Sequence, residues 1–266
     1  MSPAAHPKQW CRARLAYQDP KAALEFLTAA FGLRERNRVE DPDGTFIVWL
    51  GFGQSTMMIG RSGLKRHNLF SPLETGKATA EMNVGVDDID AHYRRAKAAG
   101  AKIERPLENA TFGQRHYEAS DPEGHTWHFM KPIEDYRGRK STPERLELRL
   151  AYNDERAAQD FLTRAFGFKE LARLDYPGGF MAWLGFADGI VMIGRADGAE
   201  QFSPAETGKP TAMLNLGVAD VDEHYARAVA QGARIVSDLK DMEWGFRAYE
   251  ALDPEGHRWH IMQERA

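Results

Sequence analysis

The chain has 266 residues, with 35 Lys and Arg against 39 Asp and Glu and a formal charge of -4. The two signs are interspersed, so neither a basic nucleic-acid stripe nor a cationic membrane helix is expected, and no apolar run approaches bilayer length. One cysteine excludes an internal disulfide framework, and residues 1–10 lack the apolar core of a secretory signal, so the expected compartment is the cytoplasm.

An opening strand at 12–17 leads to a helix whose limits are written in its sequence. Asp19 suits the N-cap, Pro20 the first helical position and Gly32 the stop, with Ala23, Phe26, Leu27, Ala30 and Phe31 at helical spacing between them. Strands are predicted at 35–39, 46–52 and 56–60, with Asp41-Pro42-Asp43-Gly44 as the first turn. The order then repeats. A strand at 81–86 precedes a helix from about Asp88, with Ile89, Tyr93 and Ala96 on one face and Gly100 as its stop. Strands at 102–104, 115–120 and 126–130 follow, the last two joined by the turn Asp121-Pro122-Glu123-Gly124.

Residues 132–144 are charged, carry Gly138 and Pro143, and read as a linker. Beyond them the whole pattern is written again. Leu15-Ala16-Tyr17 returns as Leu150-Ala151-Tyr152, Trp49-Leu50-Gly51-Phe52 as Trp183-Leu184-Gly185-Phe186, and Phe70-Ser71-Pro72 as Phe202-Ser203-Pro204. DPEGHTWHFM from Asp121 returns as DPEGHRWHIM from Asp253. A period this long marks a duplicated domain rather than a solenoid. The expected fold class is α+β, with tandem domains at 10–131 and 145–264, each made of two βαβββ modules. In such a module one sheet face is covered by the helix and the other stays open. Paired modules are expected to form half-open barrels around a groove, a natural small-molecule site.

The βαβββ-βαβββ order and the closing Asp-Pro-Glu-Gly-His-x-Trp-His strand resemble the vicinal oxygen chelate superfamily. The preceding segment, Gly113-Gln114-Arg115-His116-Tyr117, is similar to its bleomycin-resistance and glyoxalase-like branch. The resemblance implies a groove that serves either metal enzymes or metal-free drug binders, with metal ligands on the first and last strands of paired modules. Strand alternation assigns the corresponding positions in the first copy to Arg12, Met58, Glu81 and His128, and in the second to Glu147, Met192, Met213 and His260. An arginine cannot be deprotonated to bind a cation. The leading expectation is therefore a metal-free binder of a small organic ligand, with no cofactor and no nucleic-acid or membrane partner, as a monomer or homodimer.

A rival reading pairs the second module with the third, across the copies. That brings together Glu81, His128 and Glu147, one imidazole and two carboxylates able to hold one Zn, Ni, Fe or Mn ion for a lyase, isomerase or dioxygenase. Candidate ligand-binding residues are Arg12, Arg14, Asn83, His128, Arg149, Asn215 and His260, with Phe112 and Trp244 as aromatic contacts. Structural readings stand beside these. His128 and His260 are equally expected as hydrogen-bonded, partly buried histidines, and the inward Arg and Asn residues as a network at the module seam. Trp49 and Trp183 are expected in the core, His92 and His224 on the surface or in helix packing, and Cys11 as a small packed residue. Glu74-Thr75-Gly76-Lys77 lacks the first glycine and the closing Ser/Thr of a phosphate loop, and no Gly-x-Ser-x-Gly element or Cys/His signature supports covalent catalysis. Arg12 in one groove answers Glu147 in the other, so the two grooves are expected to differ in ligand preference, with one dominant site per chain.

Overall fold

The computed structural model describes residues 9–40, 46–65, 67–111, 113–133 and 144–265. The first module comprises β1 (Trp10–Tyr17), α1 (Pro20–Phe31), β2 (Arg34–Glu40), β3 (Phe46–Phe52) and β4 (Ser55–Arg61). A short helix α2 (Pro72–Thr75) leads to the second, with β5 (Ala80–Gly85), α3 (Ile89–Ala98), β6 (Lys102–Asn109), β7 (Gln114–Ser120) and β8 (Thr126–Pro132). The second copy runs β9 (Arg145–Tyr152), α4 (Glu155–Phe161), β10 (Lys169–Tyr176), β11 (Gly179–Phe186) and β12 (Gly189–Arg195). It continues with α5 (Pro204–Thr207), β13 (Ala212–Gly217), α6 (Val221–Ala230), β14 (Arg234–Asp241), β15 (Phe246–Leu252) and β16 (Arg258–Glu264). The fold is α+β and tandemly duplicated, as the repeats predict. The turn expected at 41–44, most of the linker and Phe112 lie outside the described residues.

Local chemistry explains the boundaries. Asp19 accepts hydrogen bonds from the amides of Lys21 and Ala22, Pro20 opens α1, and Gly32 closes it at φ 73°. The two short helices were not predicted, although their signal is present. Ser71 with Glu74, and Ser203 with Glu206, form capping boxes around Pro72 and Pro204.

The chain divides into two compact units. The first is Ala13–Leu150 with Lys209–Ala212, and the second is Met1–Arg12, Ala151–Gly208 and Met213–Ala266. In the first, the strand orders are β2-β3-β4-β1 and β6-β7-β8-β5-β9, the last strand contributing its residues up to Leu150. In the second they are β10-β11-β12 and β14-β15-β16-β13. The segment Lys209–Ala212 belongs to the first unit through a reciprocal pair. The Thr79 amide donates to Thr211 Oγ1 at 3.0 Å, and the Thr211 amide to Thr79 Oγ1 at 2.9 Å.

The repeated Asp-Pro-Glu-Gly-His motif joins the two modules of each copy. Asp121 Oδ2 accepts from Tyr17 Oη at 2.6 Å and from Trp127 Nε1 at 3.1 Å, while its Oδ1 accepts the turn amides of Glu123 and His125. Glu123 accepts from the amides of Gln18 and Asp19, at 2.7 and 2.9 Å, and from Ser71 Oγ at 2.5 Å. His125 Nε2 donates to the Ala16 carbonyl at 2.8 Å. In the second unit Asp253, Glu255 and His257 repeat these bonds with Tyr152, Trp259, Asn153, Asp154, Ser203 and Ala151. Around the first weld Phe31, Trp127, Tyr117 and Phe129 are fully buried and their rings are in contact. Each contributes about 2–3 kcal/mol by burial.

Candidate functional site

β5 carries β8 on one side, in parallel, and β9 on the other, antiparallel. The second module of the first copy is therefore paired with the opening strand of the second copy. Cross-strand partners point to the same face of a sheet, so the registers assemble the site row by row. The central row is Glu118, His128, Asn83 and Glu147 on β7, β8, β5 and β9. On one side lies the row His116, Met130, Gly85 and Arg145, and on the other Ser120, Thr126, Glu81 and Arg149. Tyr117, Ala119, Trp127, Phe129, Met82 and Val84 alternate with these residues and are buried on the opposite, helix-covered side.

The acids on this polar face all have basic neighbours. Arg149 Nη1 lies 3.8 Å from Glu81 Oε1, Arg145 Nε 2.9 Å from Glu147 Oε1, and Arg105 Nε 3.3 Å from Glu118 Oε1. His116 Nδ1 and His128 Nε2 are 2.8 Å apart, so one imidazole donates to the other. Burial, then the neighbouring His116, Arg149 and Arg105, pull the His128 pKa down to about 3, which keeps the ring neutral. Asn83 is 4% exposed, and neither its Oδ1 nor its Nδ2 finds a hydrogen-bond partner among the described residues. Orphaned buried amide atoms each cost about 1–3 kcal/mol until something satisfies them.

The equivalent face of the second unit satisfies itself. Its rows are Ala248, Met262, Gly217; Glu250, His260, Asn215; and Leu252, Arg258, Met213. Arg258 holds Glu250 in a buried ion pair of 2.7 Å, and Met213 stands where the first unit has Glu81. Asn215, unlike Asn83, has partners at both ends: Nδ2 donates to the Arg12 carbonyl at 3.4 Å, and Oδ1 lies 3.3 Å from His260 Nδ1. The Trp10 indole packs so closely on Gly217 that a Cβ there would clash with it. His260, Glu250, Arg258 and Met262 are all buried, whereas Glu118, His128, Met130, Glu147 and Arg149 are half-exposed.

The remaining sequence candidates fall as follows. Arg12 forms a bidentate pair with Asp188 at 2.7 and 2.5 Å. Since Glu147 has Arg145, the charge reversal expected between Arg12 and Glu147 is neutralised on each side, and accessibility distinguishes the two faces instead. Arg14 is buried, its guanidinium lying against Gly60. Trp244 is 47% exposed, with its ring 6.1 Å from that of His260. Trp49 and Trp183 depart from the core placement expected of them. Trp49 shares a row with Met58 and Arg14, and Trp183 is paired with Met192, both half-buried on the face away from the helices. His92 and His224 sit on the buried faces of α3 and α6, and Cys11 is buried, its thiol pushed up to about 12 by that burial.

Glu81, His128 and Glu147 do lie on one face, but they do not converge on one point. Among the described residues, the donors that lie within 4.8 Å of one another are His116, Glu118 and His128. Glu81, His128 and Glu147 are not, as a set, among the donors that meet within that distance, and Arg149 and Arg145 stand beside the two acids. Sequence reasoning missed His116 and Glu118. Alternation around the packed Tyr117 and Ala119 would have found them, had the third strand been searched along with the first and last.

No helix among the described residues is long and apolar enough to cross a membrane. The chain is 32% identical over 120 residues to uncharacterized proteins of Mycobacterium bovis and Mycobacterium tuberculosis. That match covers 43% of this chain and 79% and 71% of theirs. Its fold is similar to that of glyoxalase I from Zea mays, with a TM-score of 0.73 at 17% identity over 96% of this chain and 93% of that one. It is also similar to a putative dioxygenase from Bacillus subtilis, with a TM-score of 0.62 at 13% identity over 96% and 84% of the two chains. These structural likenesses show the fold. The glyoxalase family model matches residues 10–129 and again 146–261, and the chain belongs to the glyoxalase/bleomycin resistance protein/dioxygenase superfamily.

Proposed function

We propose that the protein is a cytoplasmic small-molecule binder that takes an organic ligand on the polar face of its first unit. Asn83, His128 and Arg149 are the contacts, and no metal is needed at the position of Glu81, His128 and Glu147. The observation that carries this reading is Asn83, a buried amide with both polar atoms unpartnered beside half-exposed polar groups. A ligand offering a donor and an acceptor relieves that cost, and a cation cannot satisfy an N–H donor. Arginines beside Glu81 and Glu147 work in the same direction, since a metal would have to compete with them. The second unit, with Arg12, Asn215, His260 and Trp244, offers a weaker surface because its face is filled by its own side chains. Binding of the bleomycin-resistance type fits this arrangement better than a lyase, isomerase or dioxygenase that routes its reaction through Glu81 and Glu147.

The test is a thermal-shift panel on chelator-treated full-length protein, with bleomycin and planar aromatic antibiotics as probes. At least one probe should raise the unfolding midpoint, and Asn83→Leu should abolish the shift while Asn215→Leu preserves it. Probe binding that arises only after a metal is restored, and is lost in both Glu81→Gln and Glu147→Gln, would refute the reading in favour of the metal enzyme.

A further inference from the structure

In the cluster on β7 and β8, His128 occupies a position that the resemblance assigns to metal, while His116 and Glu118 lie off those positions. His116 Nδ1 faces His128 Nε2 at 2.8 Å, and one donor atom from each of His116, Glu118 and His128 lies within 4.8 Å of the others. Two ring nitrogens bound tetrahedrally to one zinc ion at about 2.0–2.1 Å are about 3.3 Å apart, so an ion would part the rings by about half an ångström. The far nitrogen of His116 also has a carboxylate beside it, with Glu108 Oε1 3.6 Å from Nε2. A carboxylate behind the distal nitrogen is the usual outer support of a metal-bound imidazole, fixing its tautomer and raising its basicity.

We propose that His116, Glu118 and His128 form a site for one borderline divalent ion, zinc, nickel or cobalt, with coordination positions left open. Two imidazoles and one carboxylate favour these ions over magnesium or calcium, which take oxygen ligands. Glu118 would exchange its contact with Arg105 for the ion. The second copy provides an internal control. Ala248 stands in place of His116, and Glu250 is held by the buried guanidinium of Arg258, so the duplicate cannot assemble the same set. The expected stoichiometry is therefore one ion per chain. This site goes beyond the ligand-binding reading and does not rest on it.

The experiment titrates chelator-stripped full-length protein with cobalt(II), followed by visible absorption, and with zinc against a chromophoric chelator. One ion should bind per chain. Glu108→Gln should weaken binding by about 10- to 100-fold, and His116→Ala and the near-isosteric Glu118→Gln should each weaken it further. Glu81→Gln and Glu147→Gln should bind as the parent does. If His116→Ala fails to fold, Glu118→Gln decides, since it retains size and shape. The proposal is overturned if no ion binds, if two bind per chain, or if Glu81→Gln and Glu147→Gln abolish binding while Glu118→Gln leaves it intact. Ligand binding is measured on stripped protein, so absence of a metal would leave that reading standing, and absence of a ligand would not affect the titration.

Discussion

Acid should destabilise this protein through two histidines that have no part in its site. His92 Nδ1 accepts from Tyr117 Oη at 2.6 Å and its Nε2 donates to the Phe31 carbonyl at 3.1 Å, an arrangement suited to the neutral ring. His224 does the same with Tyr249 and Phe166, at 2.7 and 3.3 Å. Burial is the main cause that lowers each pKa from 6.5 to about 4, with Arg95 and Arg227 contributing in the same direction. A depressed histidine pKa means that the unfolded chain takes up the proton first. Stability is thus full above pH 6.5 and falls as the pH drops toward 4. Each residue accounts for about 2 kcal/mol at pH 5, approaching about 3 kcal/mol at pH 4. Urea denaturation between pH 8 and 4.5, followed by circular dichroism, tests this with His92→Gln and His92→Gln/His224→Gln. Neutral-pH stability will fall in the variants, but the loss between pH 7 and 5 should shrink by about 2 kcal/mol per histidine replaced. His128 titrates in parent and variants alike, so it cancels in the difference. An unchanged slope in the double variant would refute the reasoning.

Three further outcomes follow from the packing. Asp121→Asn keeps the shape of the module weld but weakens its bonds to Tyr17 and Trp127, and should cost about 2–4 kcal/mol in chemical denaturation. Arg258→Met leaves Glu250 buried and unpaired and should cost about 3–5 kcal/mol, much of it regained in Arg258→Met/Glu250→Leu. If the double variant is no more stable than the single, that ion pair was not the cause. Ser203→Ala removes the N-cap of α5 and a bond to Glu255, and should lower stability by about 1–2 kcal/mol in the same measurement.

Much of the architecture was legible because each signal is local. Asp19, Pro20 and Gly32 mark α1, alternation marks β3, β7 and β8, and the repeated motif gives the duplication. Module pairing was left open in the sequence, because it depends on which strand edge meets which. The antiparallel register of Asn83 with Glu147 settles it for β5 and β9. The site was legible in part. Parity correctly placed Asn83, His128 and Arg149 on the open face. What parity cannot report is which charges find partners. The pairs Arg145 with Glu147 and Arg12 with Asp188 depend on side-chain reach across strands or turns, and they cancel a charge contrast that looked decisive in one dimension. Trp49 lies on the open face because it alternates with the buried Phe46, Val48 and Leu50 of β3.

The weld built by Asp121, Glu123 and His125 has a consequence for genetics. The Asp121–His125 part of the stretch by which this chain is most easily recognised is occupied with joining modules, and only His128, three residues on, faces the candidate site. In a mutational scan that separates protein abundance from binding, substitutions there should deplete the protein itself. Those at Asn83, His116 and Glu118 should spare its level and alter only what it holds. A motif of this kind can outlast changes of chemistry within a lineage, so its presence reports shared construction rather than shared occupation.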